Sequence, residues 1–178
     1  MEDVTLEASA IKGVEYLPLR MIDTPGGAVL HMLRPGMPLV PGLCEKDGKD
    51  LLCVGEIYFS EVLPGAVKAW KRHTEQTQFF AVPSGTLGIA LYDGRASSET
   101  YGKVQTFRLG RKALYALLRI PCGVWYGFTA LGSEPAIICN AADKPHDPNE
   151  GIKAAPDSPE GQSIPFDWKA PFPESVTG

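Results

Sequence analysis

Lys71 and His73 stand two residues apart in the run Val67-Lys68-Ala69-Trp70-Lys71-Arg72-His73, and that spacing sets the chemistry open to them. Residues i and i+2 of a strand project from one face, so a strand here turns both nitrogens toward the same space. A lysine forced into apolar surroundings gives up its proton more easily and can act as a base or form an imine with a ketone. The alternative is an ordinary ion pair with a carboxylate such as Glu75. His73 titrates near neutrality and can be a base, a hydrogen-bond donor to a carbonyl, or a satisfied structural residue. Tyr126 offers a hydroxyl that returns a proton or fills the core, and Gln78 bonds a ligand hydroxyl or occupies space. Lys68, Arg72 and Arg95 supply the positive charge that a phosphate requires, with Arg95 equally able to hold the turn at Asp93. Trp70 and Trp125 can stack on a ring or pack in the core. His31 and His146 fall in loop-like segments and read as surface or turn residues.

The elements that must position these groups are short strands separated by turn residues, as in an antiparallel barrel or sandwich. Strands are expected near Leu51–Ser60, Val67–His73, Thr77–Val82, Thr86–Tyr92, Val104–Leu109, Leu114–Ile120 and Ala136–Ala141. Turns fall at Pro83-Ser84-Gly85, Asp93-Gly94-Arg95, Gly110-Arg111-Lys112 and Pro121-Cys122-Gly123, where Gly and Pro suit tight reversals. No long helix is expected. The Gly- and Pro-rich stretch Met21–Pro41 should wrap the barrel or reach a neighbour, and the Pro-, Asp- and Gly-rich stretch from Asp143 onward should form an ordered but irregular arm, with Glu174–Gly178 mobile. This divides the chain into an N-terminal arm (1–50) packing on the barrel or a partner, a barrel (51–142) and a C-terminal arm (143–178).

Composition bounds the function. The chain has 178 residues, 44% of them hydrophobic, enough for one domain with a real core. A net charge of −4 without any run of Lys or Arg argues against nucleic acid, and no apolar run is long enough to span a membrane. The first residues lack the basic and apolar regions of a signal peptide, so a cytoplasmic protein is expected. Cys44, Cys53, Cys122 and Cys139 form no C-x-x-C pair and read as buried small hydrophobes.

Two resemblances sharpen this reading. From Gly65 to Gly85 the chain resembles the cupin metal motif, Gly-x5-His-x-His-x3–4-Glu-x6-Gly, with its glycines and spacing kept. Lys71 replaces the first His, Gln78 the Glu, and Tyr126 the His of the second half, within Pro121-Cys122-Gly123-Val124-Trp125-Tyr126; only His73 remains. One ligand does not make a metal site, so an all-β cupin jelly roll without metal or other cofactor is expected. Further, Val67-Lys68-Ala69-Trp70-Lys71, Leu91-Tyr92-Asp93-Gly94-Arg95, Ser98-Glu99-Thr100-Tyr101-Gly102, Ile120-Pro121-Cys122-Gly123-Val124-Trp125-Tyr126-Gly127-Phe128 and Glu150-Gly151-Ile152 are similar, in order, to motifs of the dTDP-4-dehydrorhamnose 3,5-epimerase family, over roughly Ile57 to Trp168.

That resemblance implies a metal-free jelly roll, usually dimeric, acting on a nucleoside-diphosphate-linked 4-keto-6-deoxy sugar by proton abstraction beside the ketone in deoxysugar and polysaccharide biosynthesis. In the family a carboxylate-assisted His is the base and a Tyr the proposed acid. Carried over, the phosphate-contacting residue falls on Lys68, the base on Lys71, the Tyr on Asn140 or Cys139, and an early Arg on Pro25 after Asp23. Asp157 is the carboxylate the resemblance suggests. The site residues expected are therefore Lys71, His73 and Tyr126 for catalysis, and Lys68, Arg72, Gln78, Arg95 and Asn140 for substrate. The alternatives are a non-catalytic cupin that binds a sugar or small metabolite and a metal-dependent cupin built around His73.

Overall fold

A computed structural model describes residues 7–34, 37, 39, 43–46, 49–52 and 54–173. The strands are β1 (Glu7–Ala8), β2 (Glu15–Pro18), β3 (Met21–Thr24), β4 (Gly27–Leu30), β5 (Leu43–Lys46), β6 (Lys49–Leu52), β7 (Glu56–Val62), β8 (Val67–His73), β9 (Gln78–Ser84), β10 (Thr86–Asp93), β11 (Val104–Gly110), β12 (Ala116–Ile120), β13 (Val124–Ala130), β14 (Ala136–Ala142) and β15 (Gly151–Lys153). One helical turn, α1 (Pro159–Gln162), is capped by Ser158, whose hydroxyl accepts from the Gly161 amide. Two antiparallel sheets form the body, ordered β1-β2-β12-β9-β14-β7 and β11-β10-β13-β8-β15, with hairpins β3–β4 and β5–β6 apart from them. This is the all-β jelly roll expected.

Strands β9 and β10 are buried at almost every position, because each sheet is covered on both faces. Between the sheets lie Phe80, Val82, Leu87, Ile89, Leu91, Leu118, Ile120 and Ile138. Outside the six-stranded sheet, Leu19, Met32, Leu33 and Val54 cover Phe79, Leu117 and Ala141. Outside the five-stranded sheet, Ile164, Phe166, Trp168 and Phe172 cover Trp70, Ala90 and Trp125. The aromatic cover needs glycine beneath it: a Cβ on Gly88 would lie 2.8 Å from the Phe172 ring, and one on Gly127 would lie 2.6 Å from Trp168.

Several expectations change. The strand expected near Leu51–Ser60 is interrupted at Val54 and Gly55, where the backbone of Lys144 passes so close that a Cβ on Gly55 would lie 1.9 Å from it. The strand expected from Leu114 begins at Ala116, and β13, unforeseen, fills the sequence after the Pro121 turn. In the segment given to an N-terminal arm, β1 and β2 belong to the six-stranded sheet, where Leu17 pairs with Leu117. The Met21–Pro41 stretch contains the β3–β4 hairpin, which leaves Met21, Ile22 and Val29 exposed. Likewise β15, in the C-terminal arm, joins the five-stranded sheet beside β8. Cys139 is buried as expected, but Cys122 is exposed, because it sits at the tip of the Pro121–Gly123 turn. Cys53, the Cys44 side chain and Glu174–Gly178 lie outside the described residues.

Gly127 gives this packing a direct check. Gly127→Ala would set a Cβ 2.4 Å from that of Ala69, and overpacking of this kind costs about 1–3 kcal/mol. The urea midpoint should fall accordingly, whereas Gly26→Ala, with nothing within 4 Å of the added carbon, should leave it nearly unchanged.

Candidate active site

A cavity of about 470 Å³ opens between the sheets, lined by Tyr58 and Ser60 of β7, Lys68 and Lys71 of β8, Tyr126 and Phe128 of β13, Asn140 of β14 and Lys153 of β15. Lys68 and Lys71 are three apart and in a regular strand would face opposite ways. Between the pairs Lys71 with Tyr126 and Lys68 with Phe128, however, β8 has two residues, Ala69 and Trp70, opposite the single Gly127. This bulge re-phases the strand, so both lysines reach the cavity.

His73 is buried below Lys71 and paired at both ring nitrogens. Nδ1 meets Glu150 Oε2, and Nε2 lies 3.1 Å from the Tyr126 hydroxyl. The other Glu150 oxygen accepts from the backbone amides of Glu75 (2.6 Å) and Gln76 (2.8 Å). Register explains the pairing: β15 sets Gly151 opposite His73, which brings the preceding Glu150 beside the imidazole. Gly151 also leaves room, since a Cβ there would lie 3.0 Å from Lys71 Cε.

The electrostatics give each group a protonation state. Burial alone would raise the Glu150 carboxyl, but the Gln76 and Glu75 amides and His73 outweigh it and bring it from 4.5 to about 2. Burial lowers His73 against the opposing pull of Glu150, and Lys71 lowers it further. Burial pushes Tyr126 well above its usual value, with Tyr58 and Glu150 adding to the shift. Near neutral pH the site therefore holds a carboxylate, a neutral imidazole whose Nδ1–H faces that carboxylate, and a phenol that donates to Nε2. Lys71 is lowered by burial and then by Lys153, which stands opposite it on β15.

The residues expected in the site separate into three groups. Lys68, Lys71, Tyr126 and Asn140 line the cavity, and His73 and Gln78 stand directly behind it, bonded to Tyr126 and Asn140. Arg72 projects from the other face of β8, its guanidinium 4.9 Å from the Trp125 ring. Arg95 is not in the cavity either: it binds Asp93 at 2.8 Å and the Lys12 carbonyl at 2.7 Å, holding the turn. The Trp70 ring packs in the outer cluster. Glu75 does not pair with Lys71; it binds Lys144 at 2.9 Å. Asp157 is exposed before α1, and the carboxylate beside His73 is Glu150, seven residues earlier in the chain. Tyr58, Ser60 and Lys153 were missed, although the alternation of Tyr58 and Ser60 in β7 is visible in the sequence.

No family model matches the chain. Against solved structures it is 46% identical to a dTDP sugar isomerase from Desulfovibrio desulfuricans G20, covering 92% of this chain and 96% of that one with a TM-score of 0.81. Among curated proteins, it is 30% identical over 132 residues to a spore coat polysaccharide biosynthesis protein of Bacillus subtilis, 71% of this chain and 83% of that protein. It is 36% identical over 111 residues to a probable low-salt glycan biosynthesis epimerase of Haloferax volcanii, 62% of this chain and 65% of that protein. The chain belongs to the dTDP-sugar 3,5-epimerase family. A 4-keto-6-deoxy sugar epimerase from the novobiocin cluster of Streptomyces spheroides shares the fold, at 22% identity and a TM-score of 0.74 over 97% of this chain and 82% of that one. The family resemblance put base and Tyr at Lys71 and at Asn140 or Cys139. In this epimerase-family member an imidazole, a carboxylate and a phenol meet at His73, Glu150 and Tyr126, while Lys71 and Asn140 line the same cavity.

The Glu150 pairing has a measurable pH dependence. Its folded pKa is depressed, so the stability it contributes is full above 4.5 and is lost as pH falls toward 2. The depressed His73 acts in the same direction, since protonation on acidification favours the unfolded chain. Glu150→Gln should cost on the order of 2–3 kcal/mol at pH 7, and the gap from the parent protein should close between pH 4.5 and 2 in urea titrations.

Proposed function

We propose that the chain is an isomerase of a nucleoside-diphosphate-linked 4-keto-6-deoxy sugar, moving a proton beside the ketone, and that His73 rather than Lys71 is its base. The observation that carries the assignment is the Glu150 carboxylate at His73 Nδ1. A base is effective when a third group fixes its tautomer and steadies the charge it acquires, and Glu150 does both for the imidazole. Proton removal runs to His73 Nε2, the ring nitrogen on the Tyr126 side of the imidazole. The Lys71 ammonium faces the same cavity and stabilises the enolate oxygen, where a dry site strengthens its field. Tyr126, kept a phenol by burial, returns a proton. Lys68, Lys153 and Ser60 offer donors for the phosphates. The volume of about 470 Å³ is within the range of small-molecule sites.

Lys71 as base is the second reading, favoured by its lowered pKa. Solvent-deuterium exchange on 4-keto sugar nucleotides separates the two. His73→Asn should abolish exchange, while Lys71→Met should slow it about a hundredfold with exchange still detectable, the cost of one charge stabiliser. Tyr126→Phe should also slow it, with nucleotide affinity little changed. Complete loss in Lys71→Met with exchange retained in His73→Asn would make Lys71 the base. Binding without exchange in the parent protein would favour the non-catalytic reading.

We also propose a homodimer in which the N-terminal segment crosses to the partner, with the cytoplasm as its compartment. The β3–β4 hairpin exposes Met21, Ile22 and Val29, and edge strand β7 exposes Ile57 (56%) and Phe59 (68%), which suits association better than solvent. Cys122 and Cys139 are free thiols, in keeping with a reducing compartment. Light scattering at micromolar concentration should give twice the chain mass of 19.2 kDa; a monomer that persists on dilution would refute the dimer.

A further inference from the structure

A relay of three amides behind the cavity leads from two main-chain carbonyls to Tyr58. Gln76 is buried, and its Nε2 lies 3.1 Å from the Lys144 carbonyl and 2.7 Å from that of Pro145. Two acceptors at one atom require that atom to be the amide nitrogen, so the orientation of Gln76 is fixed. Its Oε1 must then accept, and it does so from Gln78 Nε2 at 3.1 Å. Gln78 Oε1 in turn accepts from Asn140 Nδ2 at 2.6 Å, and the same Nδ2 donates to the Tyr58 hydroxyl oxygen at 2.6 Å. Each amide is oriented by the one before it. Asn140 is 1% exposed, and its Oδ1 has no protein partner, which agrees with an orientation imposed along the relay rather than chosen locally.

The consequence falls on Tyr58. A phenol has one hydrogen and can both donate and accept. Here its oxygen already accepts from Asn140, so its own O–H is left for another acceptor, and the side chain lines the cavity. Burial raises its pKa, the Asn140 bond opposing, so it keeps its proton near neutral pH. Tyr126, which meets His73, lines the same cavity.

The geometry points to Tyr58 as a hydrogen-bond donor to the ketone oxygen of the substrate, held in that polarity by Gln76, Gln78 and Asn140. This rests on the reading of the cavity as a keto-sugar nucleotide site. In the ground state Tyr58 O–H bonds the carbonyl; as the proton leaves the neighbouring carbon, negative charge gathers on that oxygen and the bond strengthens. Tyr58 and the Lys71 ammonium together then serve the enolate, which leaves the hydroxyl of Tyr126 for the return of the proton. No proton need leave Tyr58.

Tyr58→Phe removes the donor and keeps the ring. Deuterium exchange into a dTDP-linked 4-keto-6-deoxy sugar should slow about a hundredfold to a thousandfold, the effect of losing one such donor, while the Kd for dTDP alone stays within about twofold. Asn140→Asp replaces the amide that donates to Tyr58 with an acceptor, so the phenol turns inward; this variant should lose as much as Tyr58→Phe, and the double variant should be no slower than either. Exchange within twofold of the parent in Tyr58→Phe, or a loss of dTDP affinity matching the loss of rate, would overturn the proposal. Additive losses in the double variant would overturn the relay. If the parent protein exchanges no keto sugar, the isomerase reading fails, and binding still tests Tyr58: the parent should prefer the 4-keto sugar nucleotide over its 4-hydroxyl counterpart, Tyr58→Phe should lose that preference about fivefold or more, and equal preference in both proteins would refute the donor.

Discussion

Glu150 is the anchor on which the site depends. Its carboxylate takes two backbone amides from the turn after β8 and the imidazole of His73, three donors from one side of the cavity, although the residue belongs to the segment that returns to form β15. A buried carboxylate is costly unless its lone pairs are occupied, and occupying them ties the turn, the strand β8 and the returning chain into one unit. The histidine tautomer, the direction of Nε2 and the bond to Tyr126 follow from that arrangement. Gln76 extends it, because its main-chain amide serves Glu150 while its side chain begins the amide relay.

The bulge in β8 is a second constraint, and it is a packing effect. Gly127 presents no side chain, so Ala69 and Trp70 crowd over it from β8 while Trp168 lies against it from the C-terminal cover. Aromatic cover on the outside of the sheet and lysine placement on the inside thus depend on the same missing Cβ. A substitution aimed at one would disturb the other.

The extent of β8 was readable in its sequence, down to both end residues, and so was the shared face of Lys71 and His73. Local spacing determines both. Among the described residues the one helix is the single turn α1, in keeping with turn residues every few positions. Glu150 was quoted within its motif yet passed over as the partner of His73, because its place depends on the register of a three-residue strand some 77 positions away, which no local pattern encodes. Asp157, which the family resemblance suggested, lies exposed. Arg95 could be read as a phosphate ligand or a turn brace, and only the position of Asp93, fully buried beside it, decides for the brace. Gln78 was legible as a polar residue in a core strand, but the polarity of its amide depends on two carbonyls beyond β14.

Lys71 and Lys153 stand directly opposite each other across β8 and β15, a like-charged pair at the wall of an apolar cavity. Without a ligand their mutual repulsion acts against the attachment of β15, the shortest strand of its sheet and the one adjoining Glu150. An anion between the two ammonium groups turns that repulsion into attraction for a common centre. Occupancy and order are thereby linked: on the proposed reading, negative charge that a ligand brings between Lys71 and Lys153 would tighten β15, the strand beside Glu150 and His73.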